Sequence, residues 1–510
     1  MKPVAGYHKG EGGSGRRKFI GKSHAFSWTD SINTGHPRLS RNSSLSLVTS
    51  YGTVASGRKY FTMEALMFSK TTGRVPYSNC DTRIVSLLDL DLPERASEAE
   101  YVDIYQNYVQ KRTPNSRLLQ AAVESVKYGI APPVAFPTET VYGLGADATN
   151  APSIAGIFAA KGRPNDNPLI VHVASKEHLE HMTGEPIPAI YSSLVSSYWP
   201  GPLTILIPVP TDSPFATNVH PGQSTIGFRV PESKYARFFI AATDRPIAGP
   251  SANSSGKPSP TTVQHVVDDM RGKINFILDG GSCHIGVEST VVDGLHDPPL
   301  ILRPGGVSLE QLIAHGKKHG NAWSKTSIGY KRAHDKLQDH VEDSAAPRAP
   351  GMKYRHYAPK GRLLLFTGPS WREQQHRRVA ELVGGPESRG KAMRIGILST
   401  GDDPDAAGMN VRRTTEGMDR LVEPWQDCTY PGVYMHDSVE HKVYEVDIGR
   451  DVLSIARMLF GALRLFDDLG CDVIFAHTVG WTFEKSKPGE EDVYDAVMER
   501  IEKAATERID

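Results

Sequence analysis

Short apolar runs alternate with amphipathic segments over most of the chain after its first quarter. In the first such stretch, the apolar run at 134–136 predicts a buried strand, Asn150-Ala151-Pro152 predicts a helix start, and residues 169–173 predict a second strand. A strand, a helix and a second strand in this order are typical of α/β proteins. The pattern therefore predicts an α/β fold.

The same reasoning extends along the chain. An edge strand or docking segment is predicted at 83–88, and strands at 203–209, 225–230, 246–249, 276–279, 289–293, 300–302, 362–366, 394–398 and 472–476. Helices are predicted at 117–128, 189–198, 260–267, 374–383, 452–468 and 492–505. Between the first two strands, residues 141–145 carry two glycines, which predicts a loop where the backbone approaches a ligand or turns sharply.

Composition divides the chain into four parts. Residues 1–75 are rich in Ser, Gly, Lys and Arg and poor in acids, which predicts a disordered basic extension; a mitochondrial transit segment and a later start of translation are the alternatives. Residues 76–315 are predicted to form a first α/β domain, and the polar stretch 316–360 a linker. Residues 361–510 predict a smaller α/β domain with an open, parallel, Rossmann-like sheet.

Charge, cysteine usage and hydropathy narrow the class of protein. The 58 basic and 58 acidic residues balance, which argues against a protein bound wholesale to nucleic acid but leaves a local basic patch open. The four cysteines are far apart, so we expect reduced thiols and no metal site. No apolar run approaches the ~20 residues that span a membrane. These features predict a cytoplasmic protein, with a mitochondrial pool if the N-terminal segment is a transit sequence.

Basic side chains lie at the ends of predicted elements. Lys161 and Arg163 follow the first helix two residues apart, which suits nucleotide phosphates; a helix C-terminus capped by Lys and Gly is the alternative. Arg229 shares a strand face with Thr225, separated by a glycine that leaves room for a small molecule, unless this face is simply exposed to solvent. Arg303 ends a strand before a proline, which aims it outward from the sheet.

The polar loops add hydrogen-bonding groups but no paired carboxylates. Residues 250–256 combine Ser, Asn and Gly, so their backbone amides either cradle an anion or form an ordinary turn. Hydrolytic acid–base chemistry normally uses a carboxylate pair or a poised histidine. Cations and hydroxyls without such a pair, and without a P-loop, favour group transfer at phosphorus.

Five motifs carry a resemblance to a known family. They are the run 136–173, Ser251-Ala252-Asn253, Glu288-Ser289-Thr290, Arg303-Pro304-Gly305 and the run 350–357. In this order they resemble the YrdC-type family of threonylcarbamoyl-adenylate synthases in its long, two-domain form. The resemblance implies a first domain with a twisted mixed sheet, helices and an open concave face, and a second, Rossmann-like domain.

The resemblance also implies an activity. Family members combine L-threonine, bicarbonate and ATP into threonylcarbamoyl-adenylate and pyrophosphate, with Mg²⁺ carried by the ATP. A downstream threonylcarbamoyl-transferase complex then modifies the tRNA adenosine beside the anticodon. Direct contact of this chain with tRNA is left open.

The implied site residues follow from the matched motifs. Those expected to bind L-threonine are Thr140, His172, Arg229, Ser251 and Ser289. Those expected to bind ATP are Lys161, Arg163, Asn167, Thr225, Asn253, Thr261, Arg303, Arg355 and His356. Lys161, Arg163 and Arg303 are expected to offset phosphate charge during catalysis, and the segment 353–357 to close over the site as a lid. For His172, an ordinary strand histidine is the alternative.

Two other functions compete with this one. A non-catalytic RNA-binding module would normally add aromatic stacking platforms, and the sequence has no aromatic-rich run of that kind. A carbamoyl-adenylate-forming maturation factor would carry Cys-x-x-Cys zinc modules, which the four separated cysteines do not form.

Overall fold

The computed structural model describes residues 52–53, 59–60, 80–129, 132–330, 356–368, 370–385, 390–400, 411–415, 418, 421, 424–478 and 491–509. The predictions for the extension 1–75 lie outside the described residues, apart from β1 (Gly52–Thr53) and β2 (Lys59–Tyr60), which pair antiparallel. The prediction for Arg355 also lies outside them. The chain separates into two units, residues 1–71 and 72–510.

The larger unit contains an eleven-stranded mixed sheet within its described residues. Its strands are β3 (Arg83–Ser86), β4 (Val134–Phe136), β5 (Gly143–Asp147), β6 (Ile170–His172), β7 (Leu203–Pro208), β8 (Thr225–Arg229), β9 (Ile247–Ala248), β10 (Phe276–Asp279), β11 (Thr290–Asp293), β12 (Leu300–Arg303) and β13 (Ser327–Ile328). Their order across the sheet is β13-β12-β11-β7-β8-β6-β9-β5-β4-β10-β3.

Helices cover both faces of this sheet. They are α1 (Glu98–Gln110), α2 (Pro114–Lys127), α3 (Ala151–Lys161), α4 (Lys176–Thr183), α5 (Ser192–Tyr198), α6 (Lys234–Thr243), α7 (Val263–Met270) and α8 (Leu309–His319), with 3₁₀ turns at Ala189–Tyr191, Thr217–Val219 and Ala322–Lys325. Successive residues of β4 enter opposite cores: Ala135 belongs to the hydrophobic cluster that also contains residues of α3 and α7, and Phe136 to the cluster that contains residues of α2 and α6. A strand buried on both faces is apolar throughout, as β4 is.

The second sheet has seven described strands in the order β16-β17-β18-β15-β19-β14-β20. They are β14 (Arg362–Phe366), β15 (Arg394–Ser399), β16 (Arg412–Arg413), β17 (Thr429–His436), β18 (Val439–Asp447), β19 (Val473–His477) and β20 (Glu507–Ile509). The accompanying helices are α9 (Trp371–Gly384), α10 (Trp425–Cys428), α11 (Val452–Asp468) and α12 (Glu491–Ala504). The predicted α/β fold class with two sheets is confirmed.

Three predictions about these elements were wrong in detail. Residues 143–147 form strand β5 instead of a glycine loop, because the glycines let the strand lie against the Phe136 ring: a Cβ on Gly143 would come within 2.7 Å of that ring. The second sheet is mixed, since β17 pairs antiparallel with both β16 and β18. The third wrong prediction is the start of the linker, which was placed at residue 316.

Residues 309–328 form a helix and a strand of the first sheet where the linker was predicted to begin. Helix α8 begins with a capping box between Ser308 and Gln311 and ends at Gly320, whose φ is 61°. The basic residues 317–319, which suggested a linker, are its last turn, where positive charge is favourable. The chain then places Trp323 in the core and adds β13 beside β12.

Candidate active site

A cleft opens where two parallel strands of the first sheet end. His172 and Arg229 are the last residues of β6 and β8 and lie opposite each other in the register. The cleft encloses about 770 Å³ of empty volume, open solvent at its mouth included. A cleft outside the carboxyl ends of parallel strands is the usual position of an α/β ligand site.

Ten of the predicted site residues line this one cleft. They are Thr140, Lys161, Arg163, His172, Arg229, Ser251, Asn253, Ser289, Arg303 and His356. Thr225 instead lines a smaller adjoining pocket, which shares Ile170 with the cleft. Asn167 and Thr261 are buried but are not among the residues that line the cleft.

Arg229 is fixed by three hydrogen bonds. Its Nη2 donates to Glu139, its Nη1 to Thr140 Oγ1 at 3.0 Å, and its Nε to the carbonyl oxygen of Gly201 at 3.1 Å. Burial alone would raise the pKa of Glu139, but the Arg229 guanidinium outweighs it and lowers that pKa. Arg229 therefore keeps its charge compensated before any ligand enters.

Lys161 ends helix α3 and turns into the cleft. Gly162 closes the helix with a φ of 64°, a conformation that favours glycine. Lys161 Nζ donates to the carbonyl oxygens of Ser251 and, at 2.7 Å, of Asn253. Burial, together with the nearby Arg163 charge, lowers the pKa of Lys161 well below its usual value. A negatively charged ligand would restore that pKa, so the site favours an anion.

Ser289 and Arg303 form a further part of the cleft wall. Arg303, at the end of β12, donates from Nε and Nη2 to the Ser289 carbonyl oxygen at 3.1 and 2.8 Å, and from Nη2 to Ser289 Oγ at 3.1 Å. Thr204 Oγ1 lies 2.8 Å from the same Ser289 hydroxyl. These hydrogen bonds hold the end of β12 against the residue that precedes β11.

Two histidines in the cleft are neutral. Burial, with the Arg229 charge, lowers the pKa of His172 to about 3, and burial with the Arg163 charge does the same for His356. His172 Nδ1, His356 Nε2 and Asn253 Oδ1 are buried and have no hydrogen-bond partner among the described residues. Buried polar atoms normally have one, so these three atoms suit contacts with a bound ligand.

Sequence reasoning missed the two buried carboxylates of the site. Glu139 pairs with Arg229, and Glu288 accepts from Ser259 Oγ at 2.7 Å and from Arg500 Nε at 3.0 Å. Burial raises the pKa of Glu288, but the Arg500 and Arg303 charges prevail and lower it to about 2. The sequence offered one signal for these two residues: each glutamate lies inside a motif whose neighbouring residues were predicted to bind substrate.

The described residues contain no group of three or more His, Cys, Asp or Glu side chains that could hold a metal ion. Likewise, no described helix is long and apolar enough to cross a membrane.

Comparison with known proteins identifies the family. A family model described as "Telomere recombination" matches residues 132–305, and one described as "Threonylcarbamoyl-AMP synthase, C-terminal domain" matches residues 307–506. A threonylcarbamoyl-AMP synthase of Schizosaccharomyces pombe is 38% identical over 399 residues, covering 73% of this chain and 85% of the relative. One from Pyrococcus abyssi is 40% identical over 377 residues, covering 74% and 91%.

The chain belongs to the threonylcarbamoyl-AMP synthase family. This confirms the family predicted from the motifs and its enzyme class. A solved structure of the Pyrococcus abyssi Sua5 protein complexed with L-threonine is also similar, with a TM-score of 0.58 and 34% identity, covering 84% of this chain and 100% of that one. The two sheets described above are therefore those of the long, two-domain form of the family.

Proposed function

We propose that this protein is a threonylcarbamoyl-AMP synthase that converts L-threonine, bicarbonate and ATP into L-threonylcarbamoyladenylate and pyrophosphate. The observation that carries the proposal is the single cleft that holds a carboxylate-type guanidinium, Arg229, together with the phosphate-type cations Lys161, Arg163 and Arg303. Membership of a family whose relatives bear this name supports it.

Threonine is assigned to the Arg229 end of the cleft. Hydrogen bonds to described residues use three of the five N–H groups of Arg229, which leaves two for a carboxylate. The hydroxyls of Thr140, Ser251 and Ser289 line the same cleft. His172 Nδ1, which has no hydrogen-bond partner in the part of the chain that the structure describes, favours a polar ligand atom nearby.

ATP is assigned to the other end. Lys161, Arg163 and Arg303 would bind the phosphates, and Asn253 Oδ1 is an acceptor that has no hydrogen-bond partner among the described residues. The small pocket that contains Thr225 adjoins the cleft, which supports a place for the nucleoside there. Asn167 and Thr261 would contribute only if the ligand-bound cleft extends to them.

The chemistry needs few protein acids. The threonine amine captures carbon dioxide derived from bicarbonate, losing a proton and forming a carbamate. A carbamate oxygen attacks the α-phosphorus of ATP, the bond to the β-phosphate oxygen breaks, and pyrophosphate leaves. Lys161, Arg163 and Arg303 offset the charge that develops on the phosphate oxygens. Glu139 and Glu288 act as counterions of arginines.

Magnesium would arrive as part of the nucleotide substrate. The two buried carboxylates at the cleft are each paired with an arginine, so the residues present do not fit a resident Mg²⁺. Mg²⁺ binds readily through phosphate oxygens and waters, with one or two carboxylates at most.

A lid is proposed at the segment that ends with His356 and Tyr357. Both residues line the cleft, and the next residue, Ala358, donates from its backbone N to the Gly256 carbonyl oxygen at 2.9 Å. The Tyr357 ring stacks on Phe460 with a centroid distance of 5.0 Å. This anchor supports a segment that excludes water from a labile adenylate.

The product is proposed to pass to a threonylcarbamoyl-transferase complex for tRNA modification, with a cytoplasmic location. Pyrophosphate release from ATP tests the whole proposal, with threonine and bicarbonate each omitted in turn. We expect release only when both are present. Equal pyrophosphate release without threonine would refute the proposed synthase activity. Salt-dependent tRNA binding without ATP turnover would favour the RNA-binding alternative.

A further inference from the structure

Arg500 of the second domain reaches the back of a cleft wall built by the first. It is fully buried, and besides its bond to Glu288 its Nη1 donates to the carbonyl oxygen of Pro304 at 2.9 Å. Glu288 precedes Ser289, and Pro304 follows Arg303. One guanidinium therefore ties together the two loops whose residues form this wall.

Arg464 does the same at another wall. Its Nη2 donates to Asp269 Oδ2 at 2.9 Å and to the carbonyl oxygen of Pro258. Asp269 in turn accepts from Lys257 Nζ at 2.6 Å and from the Ser254 backbone N at 3.2 Å. Since Lys257 lines the cleft, Arg464 holds the loop 254–258 from behind.

The two contacts share one design. Each arginine comes from a helix of the second domain, α11 or α12, and joins one buried carboxylate to one proline carbonyl of the first domain. Neither Arg464 nor Arg500 lines the cleft itself. A buried charge is stable only when paired and hydrogen-bonded, so each contact fixes its loop in one position.

We propose that Arg500 and Arg464 are positioning residues through which the second domain sets the affinity of the cleft for its substrates. Arg500 acts on Ser289 and Arg303, at the wall shared by threonine and nucleotide. Arg464 acts on Lys257 and its loop, which faces the nucleotide phosphates. The identity of the substrates rests on the proposed function, whereas the positioning of the two loops does not.

The test uses the full chain with Arg500→Lys and Arg464→Lys, which keep the charge but replace the planar guanidinium with a compact ammonium on a shorter side chain. We expect Arg464→Lys to raise the KM for ATP about tenfold with little change in the KM for threonine. Arg500→Lys should raise both KM values by a similar factor. Arg413→Lys is the matched control, because Arg413 pairs with the buried Glu445 of the second domain and does not line the cleft.

Hydrogen–deuterium exchange of the ligand-free protein separates this inference from the proposed function. Exchange should rise in residues 254–258 of Arg464→Lys and in residues 286–290 and 303–306 of Arg500→Lys, and in neither for Arg413→Lys. Such local changes support positioning even if the wild type shows no threonine-dependent pyrophosphate release, which would refute only the proposed function. Lower melting temperatures with no local exchange change and unchanged KM values would overturn the inference.

Discussion

At the residue scale, two buried carboxylates of the site, Glu139 and Glu288, are each paired with an arginine before any substrate binds. Lys161 differs: its hydrogen-bond partners in the described residues are two neutral carbonyl oxygens, and its pKa is lowered by burial and by Arg163. A cation held in this way gains most when a phosphate enters, because the new contact removes an unfavourable burial. Lys161 is therefore the residue at which a single substitution should be most informative.

Lys161→Met should reduce turnover by about ten- to a hundredfold, since a hydrogen bond to a charged group contributes ~1.5–3 kcal/mol. Steady-state pyrophosphate release measures this. Lys127→Met is the control: Lys127 is a helix lysine 3.9 Å from an exposed Asp244 carboxylate and lies outside the cleft. Normal turnover in Lys161→Met would place the phosphates elsewhere.

Three buried histidines make stability depend on pH. Burial, as the largest cause, lowers the pKa of His172, His265 and His356 to about 3 each. Because the unfolded chain protonates histidine near pH ~6.5, their contribution is complete above that pH and is lost as pH falls towards 3. Unfolding free energy should fall below pH ~6.5 by up to about 1.4 kcal/mol per pH unit for each histidine.

His265→Asn isolates one of these three. His265 does not line the cleft, and its Nδ1 accepts from the Thr261 backbone N at 3.2 Å, a role that an Asn oxygen can take over. Urea unfolding at pH 7.5, 6.5 and 5.5 should show a shallower pH dependence in this variant. An unchanged slope would mean that the pKa of His265 is the same in the folded and the unfolded protein.

At the element scale, helix α11 packs against the loop that carries Gly286 and leads to Ser289, one of the residues proposed to bind threonine. Gly286, at a φ of 84°, donates from its backbone N to the Thr140 carbonyl oxygen at 3.1 Å. A Cβ on Gly286 would lie 2.4 Å from the carbonyl oxygen of Ala456 in α11. The loop can be this close to the helix only because residue 286 is glycine.

Gly286→Ala should therefore lower stability and weaken threonine binding together. Gly272→Ala is the matched control, because Gly272 also has a positive φ, 79°, but a Cβ there would meet nothing within 4 Å. Both variants bear a backbone strain of about 1–2 kcal/mol, and only Gly286→Ala must also separate loop from helix. Calorimetry should show the larger loss of stability in Gly286→Ala, and titration with threonine should show a loss of affinity in that variant alone. Equal losses in the two variants would show that backbone strain alone causes the effect.

The sequence predicted the elements with strong periodicity and missed those set by tertiary contacts. Helix α11 was predicted with its observed bounds, 452–468, because its apolar residues repeat at helical spacing. Strand β5 was missed because its two glycines are typical of a loop. They are needed in the strand because it lies close to the Phe136 ring, which is a tertiary contact. The hairpin β17–β18 lies in a mixed polar stretch that shows no clear alternation.

The site residues that lie in recognisable sequence motifs could be predicted. The ten predicted residues that line the cleft come from strand ends, a helix end and loops that are remote in sequence, and the family resemblance brought them together. Glu288 stood inside a motif, but its partner Arg500 lies 212 positions away. No local sequence pattern indicates this ion pair, because it depends on how α12 packs against the first domain.

At the scale of the whole molecule, the two sheets of residues 72–510 share a hydrophobic cluster. Val141 and Val287 of the first domain pack with Tyr357, Leu459 and Phe460 of the linker end and the second domain. Together with Arg464 and Arg500, this cluster makes the second domain part of the cleft's framework. The residues that line the cleft all fall between 138 and 357, within the larger unit.

Removing residues 1–71 should therefore leave synthesis intact. A chain that begins at Thr72 keeps every residue of the cleft and of the contacts made by Arg464 and Arg500, so its melting temperature and its threonine-dependent pyrophosphate release should match those of the full chain. The removed segment is basic, so tRNA binding is the property it could carry: phosphate contacts give an affinity that falls steeply with salt. Filter binding of tRNA at two salt concentrations, with and without the segment, tests this. A shortened chain that folds normally but loses turnover would show that the extension takes part in the reaction.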